Sequence, residues 1–255
     1  MKQVRWAALA ALLIATTFGI VARAQRGGPP GPRTPQQAAP IDLTGYWVSL
    51  VTEDWRYRVV TPPKGDYTSV PLNPAGRKVA DGWDPARDNA AGESCRAYGV
   101  GGVMRLPGRL HITWQDERTL KVETDYGSQT RLLSFTPPAS AAPDWQGASL
   151  ATWDRSEPVI GGGFFGPAPA AGGSLKVVTT GMKPGYLRKN GVPYSAGAVI
   201  TEYFDRFNVP DSDPLLVVTT EIVDPTYLSQ PFWTSTHFKR QADATGWNPT
   251  PCRAQ

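Results

Sequence analysis

The sequence predicts an all-β fold, with about eleven short antiparallel strands closing into a barrel and a two-sheet sandwich as the alternative. Three observations predict it. Apolar and polar residues alternate with period two along most of the chain, Gly, Pro, Asn and Asp interrupt the runs at short intervals, and helical periodicity is weak everywhere. Closure is preferred over a sandwich because it removes the exposed edges that so many strands would otherwise present.

The first 24 residues read as a cleaved export signal. Lys2 and Arg5 precede an apolar stretch over 6–21, and Ala22-Arg23-Ala24 forms an A-x-A cleavage site before Gln25. The apolar stretch falls short of the roughly 20 residues a spanning helix needs, which argues against a membrane anchor. No later segment is apolar enough to cross a bilayer, so no membrane insertion is expected after cleavage, and the expected location is periplasmic or secreted. Residues 25–40 form a flexible Pro/Gly-rich leader. A single barrel domain is expected over 41–255.

Within that domain the clearest unit is 109–135. Leu110, Ile112 and Trp114 share one face against His111, Thr113 and Gln115. Leu120 and Val122 then oppose Lys121, Glu123 and Asp125, and a third strand covers 129–135. Short polar turns join the three into a meander with one dry and one wet face. The same alternation predicts strands over 45–52, 55–60, 102–106, 148–154, 174–180, 198–207, 215–223 and 232–239, while 74–81 holds a helical turn or two. Residues 160–173 (IGGGFFGPAPAAGG) suit no regular element. They read either as a flap over a cavity mouth, with Phe164 and Phe165 at its centre, or as a surface loop.

Composition excludes several classes. Once Lys2, Arg5 and Arg23 leave with the signal, 23 basic residues face 22 acidic ones, a net charge of +1. The basic character of the whole chain therefore implies no nucleic-acid partner. Two cysteines, Cys95 and Cys252, read as one disulfide in an oxidising compartment, with two unpaired thiols as the alternative. Neither has a neighbouring Cys or His at ligand spacing, and the two histidines, His111 and His237, form no H-x-H or H-E-x-x-H motif, so no metal site is expected. There is no G-x-S-x-G elbow, phosphate loop or dinucleotide fingerprint. The glycines of 99–102 and 161–163 are not followed by a helix and do not cradle phosphate, and no cofactor is expected.

Residues 43–47 (LTGYW) open the first strand with Gly-x-Trp, which resembles the start of lipocalin and calycin barrels. That resemblance implies a lipocalin-like barrel in which the Trp closes one end beneath a basic residue. A broader resemblance runs through 71–84 (PLNPAGRKVADGWD), Trp153-Asp154, 175–180, 185–195 (GYLRKNGVPYS), 201–206 (TEYFDR), 224–228 (DPTYL) and Pro231-Phe232. Together these are similar to a widespread group of exported bacterial proteins of undefined activity. The resemblance covers most of 41–252, which implies one domain, and brings no established reaction; that group often has His where Tyr194 stands, so this chain lacks an imidazole there that could serve as base or ligand.

On strand 198–207, Ile200, Glu202, Phe204 and Arg206 share one face. Glu202 and Arg206 lie roughly 13 Å apart along it, so each needs a partner on another strand. If the face is interior, the two charges could anchor a ligand or act as an acid and base; if exterior, they belong to a solvent-facing ladder. The aromatics Trp47, Trp114, Trp153, Tyr203 and Phe204 are candidate ligand contacts, and each would serve equally as core. The expected function is binding of a small apolar or aromatic molecule in a barrel cavity. The alternatives are a cofactor-free lyase, isomerase or hydrolase using His111, Glu202 and Arg206, or a structural protein of the envelope.

Overall fold

A closed ring of strands that alternate in direction must contain an even number. This barrel has nine, so one neighbouring pair has to run parallel. The structure is a computed structural model describing residues 31–138, 142–155 and 172–254. The chain divides into a unit Met1–Pro32 and a unit Arg33–Gln255, and the regular elements among the described residues lie in the second.

Around the ring come β1 (Gly45–Leu50), β2 (Arg109–Asp116), β3 (Thr119–Thr124), β5 (Thr130–Ser134), β6 (Ala148–Arg155), β7 (Gly173–Thr180), β10 (Val199–Phe207), β11 (Leu215–Val223) and β12 (Phe232–Gln241), which pairs back onto β1. The order follows the chain, as a meander does. The parallel pair is β5 with β6. Outside the ring, β4 (Tyr126–Gly127) pairs with β13 (Thr250–Pro251), and β8 (Gly185–Arg188) forms a hairpin with β9 (Val192–Tyr194). The all-β barrel read from the alternation is therefore the fold.

Two expected strands are helical. Residues 55–60 contain α1 (Trp55–Arg58), and 102–106 begin inside α4 (Val100–Val103). In α1 the neighbours Tyr57 and Arg58 are both buried while Trp55, Val59 and Val60 are exposed, a grouping that a strand cannot produce. Val100 to Leu106 are all buried, and a continuously buried run carries no period by which to tell helix from strand. The expected turns over 74–81 are α2 (Pro74–Asp81), started by Pro74 and by Asn73, whose Oδ1 accepts the Gly76 N–H at 2.9 Å. A further helix, α3 (Pro85–Ala90), follows.

Inside the ring, alternate residues fill the lumen in two apolar layers. The lower layer includes Trp47, Leu110, Ile112, Leu120, Leu175, Phe204, Leu216 and Phe238; the upper includes Ile200, Ile222 and Phe232, packed with Met182 from just past β7 and Tyr194 from β9. Each such side chain contributes about 1.5–3 kcal/mol on burial. At the lower end Trp47 donates through Nε1 to the Leu43 carbonyl at 2.9 Å, and the Arg240 guanidinium lies 5.2 Å from its ring centre. Gly45 makes that cover possible. Its φ is +111°, and a Cβ there would stand 2.6 Å from Arg240 Nη2.

Order begins before Ile41. Trp153 Nε1 donates to the Pro35 carbonyl at 2.8 Å and the Gln36 N–H to Glu117 O at 3.2 Å, so the second half of the expected flexible leader is tied to the lower end. The expected signal over 1–24, the first part of the expected leader and all but the last two residues of the expected insertion over 160–173 lie outside the described residues. Cys95 and Cys252 are joined in a disulfide, with Cα atoms 5.1 Å apart across 157 residues of chain.

Candidate functional site

Between the two apolar layers lies a polar level. Glu202 on β10 faces inward, and the Arg131 guanidinium reaches it from β5 across the lumen, with Nη1 to Oε1 at 2.9 Å and Nη2 in close contact with Oε2. Both side chains are wholly buried. Thr220 and Thr234 continue the level in register on β11 and β12, and Ser149 and Thr179 share a hydrogen bond of 2.8 Å. Both carboxylate oxygens of Glu202 are engaged by Arg131, so this pair ties opposite walls together.

The other expected catalytic residues do not join it. His111 faces out of the barrel, stacked on Tyr46 with ring centres 4.1 Å apart, and its Nδ1 is 3.3 Å from Glu123. Arg206 points inward but sits at the lower rim, donating to the Asp42 carbonyl at 3.1 Å. The barrel wall separates His111 from Glu202, and the trio forms no single centre.

Of the expected ligand aromatics only Tyr203 stands apart, on the outer face with Lys176 Nζ 5.8 Å from its ring. Trp47 and Phe204 belong to one core cluster, and Trp114 and Trp153, 6.5 Å apart with Phe135 between them, pack against it at the lower end. Asp125, expected on the wet face, is buried just past the end of β3, where its Oδ1 accepts the Arg109 N–H at 2.7 Å.

A second polar centre, not anticipated from the sequence, lies in the cap over the upper end. The β8–β9 hairpin is buried throughout, and its loop is Lys189-Asn190-Gly191. Gly191 takes a φ of +82°, as the left-handed position of a three-residue hairpin loop requires. Asn190 fixes the loop by donating through Nδ2 to the carbonyls of Pro63 at 3.1 Å and Asp66 at 2.9 Å. The glycines of 99–102 serve this packing: a Cβ on Gly101 would stand 2.7 Å from the Tyr194 ring.

The hairpin delivers Arg188 and Lys189 beside Arg58 from α1 and Arg105 from just beyond α4. Together with Tyr57 and Leu187 these cations line one cleft. They are 5%, 6%, 2% and 7% exposed respectively. Arg58 contacts Glu53 closely and donates through Nε to the Arg105 carbonyl at 2.8 Å; Arg105 Nη2 meets Asp54 Oδ2 at 2.7 Å. Arg188 lies 4.1 Å over the Tyr57 ring and donates to Thr68 O at 2.8 Å and Ser69 Oγ at 3.1 Å. Burial holds all three guanidiniums below the usual arginine value. The charge of Arg105 adds to this at Arg188, while Asp54, Tyr57 and Asp66 oppose it. Arg105 Nη1 and Arg188 Nε are buried with no hydrogen-bond partner among the described residues.

Segments 71–84, 185–195, 224–228 and 231–232, part of the broader resemblance, meet in this cap. Asn73 Nδ2 donates to the Thr226 carbonyl at 3.1 Å, and the Ser195 hydroxyl to Asp224 Oδ1 at 2.8 Å. Among the described residues no group of three or more His, Cys, Asp or Glu side chains is placed to hold a metal ion, and no helix is long and apolar enough to cross a membrane. Compared with family models, curated proteins and solved structures, the chain finds no match.

Proposed function

We propose that this is an exported protein that binds a small molecule, and that it holds the ligand in the cap cleft over the upper end of the barrel. One observation carries the reading. Arg105 and Arg188, which line the cleft, each carry a buried donor, Nη1 and Nε, with no acceptor among the described residues, and a buried unsatisfied donor costs about 1–3 kcal/mol unless something outside the protein satisfies it. The lumen supports the reading less well, because large side chains and the Arg131–Glu202 tie occupy its inward positions. The export signal and the disulfide support a periplasmic or secreted location.

Native mass spectrometry of the mature protein from its own envelope fraction tests this. A discrete adduct is expected that is lost on denaturation and absent from Arg105→Gln. An adduct retained by that variant, or a clean apo mass, would count against the cap cleft as the site.

A further inference from the structure

The charge balance around the cap cleft identifies what it takes, provided the cleft is the ligand site as proposed above. Lysine and arginine are almost never fully buried without a partner, because a desolvated charge is costly unless an opposite charge compensates it. Here the anions run out. Glu53 is engaged by Arg58 and Asp54 by Arg105. Asp66, which acts on Arg188 from a distance, makes its ion pair with Arg56 at 3.1 Å. Arg188 is left with a carbonyl, a hydroxyl and the Tyr57 ring, and Lys189 with the Tyr126 hydroxyl at 3.2 Å and the same ring. Neither makes an ion pair with any carboxylate among the described residues. Two adjacent buried cations therefore share a wall with an orphaned guanidinium donor of Arg105.

We infer that the missing counter-charge is the carboxylate of the ligand. The number of free donors selects among anions. Two are left unpaired, Arg105 Nη1 and Arg188 Nε, and a carboxylate offers one oxygen to each. The enclosed space is about 10 Å³, the room of one water-sized group, so only a small end of the ligand enters it. Tyr57, Leu106 and Leu187 supply apolar wall beside the cations, and the space admits no more of the ligand than its carboxylate end.

Thermal unfolding of the whole mature protein at fixed ionic strength tests this with acetate, benzoate, benzamide and inorganic phosphate as probes. A midpoint that rises with the logarithm of acetate or benzoate concentration is expected, with no rise for benzamide or phosphate. Lys189→Gln should abolish the rise. Should that variant fail to fold, Arg105→Lys, which keeps the charge and removes the free Nη1 donor, should weaken apparent affinity about tenfold. Benzamide matching benzoate, phosphate acting in place of benzoate, or no response to any of the four overturns the carboxylate assignment. Failure of the site itself looks different: an adduct from the native envelope would survive both Arg105→Gln and Arg188→Gln.

Discussion

Glu202 and Arg131 show how a charge pair is tolerated in a barrel lumen. Each guanidinium or carboxylate taken out of water loses several kcal/mol of hydration, which only close bidentate contact offsets. Glu202→Gln alone removes the charge that compensates Arg131, and should lower unfolding stability by about 3–5 kcal/mol in urea titrations. Replacing both, Glu202→Leu with Arg131→Met, should recover most of that loss. A double variant as unstable as the single one would mean that the pair does more than tie the walls. That Glu202 shares a face with Ile200 and Phe204 was readable from the alternation, but which way the face points was not. Nor was the partner of Glu202, because β6 and β7 separate the two residues and no local pattern spans that gap. The arginines of the cap were hidden for the same reason: Arg58, Arg105 and Arg188 come from three distant segments.

At the scale of elements, the β8–β9 hairpin positions the cleft. Its Asn190 side chain clamps the loop to residues 63–66; losing those two hydrogen bonds removes the side-chain donor of the Asp66 carbonyl and leaves Pro63 O with the Asp66 N–H alone. Asn190→Ala should cost about 1–3 kcal/mol and release Lys189 from the cleft wall, which chemical denaturation and loss of the mass adduct would report. Unchanged stability would show that the loop is held by its backbone alone. The Asn190-Gly191 pair is itself a hairpin signal that a sequence reading could have used. The ring strands were legible because each buries one face and wets the other. Segments α1 and α4 were not, because the cap buries them by tertiary contact and erases their period.

For the whole molecule, the disulfide joins the C-terminal segment to the cap just before Arg96. Closing a loop of 157 residues is worth about 5 kcal/mol in the chain-entropy model, although measured gains are often smaller. Reduction should therefore lower the melting midpoint by many degrees, and calorimetry with and without reductant would record it. Barrel and cap divide the labour. The lumen is filled and tied and supplies rigidity, whereas the cap gathers buried cations around a small opening. The barrel was read correctly from period two and turn spacing, but the site was sought inside it, where lipocalin-like resemblance pointed. The most direct test is a crystal structure of the protein isolated from its native host. Density bridging Arg105 Nη1, Arg188 Nε and Lys189 Nζ is the expected result. A ligand found in the lumen or against Trp114 and Trp153, with the cap cleft holding water alone, would contradict it.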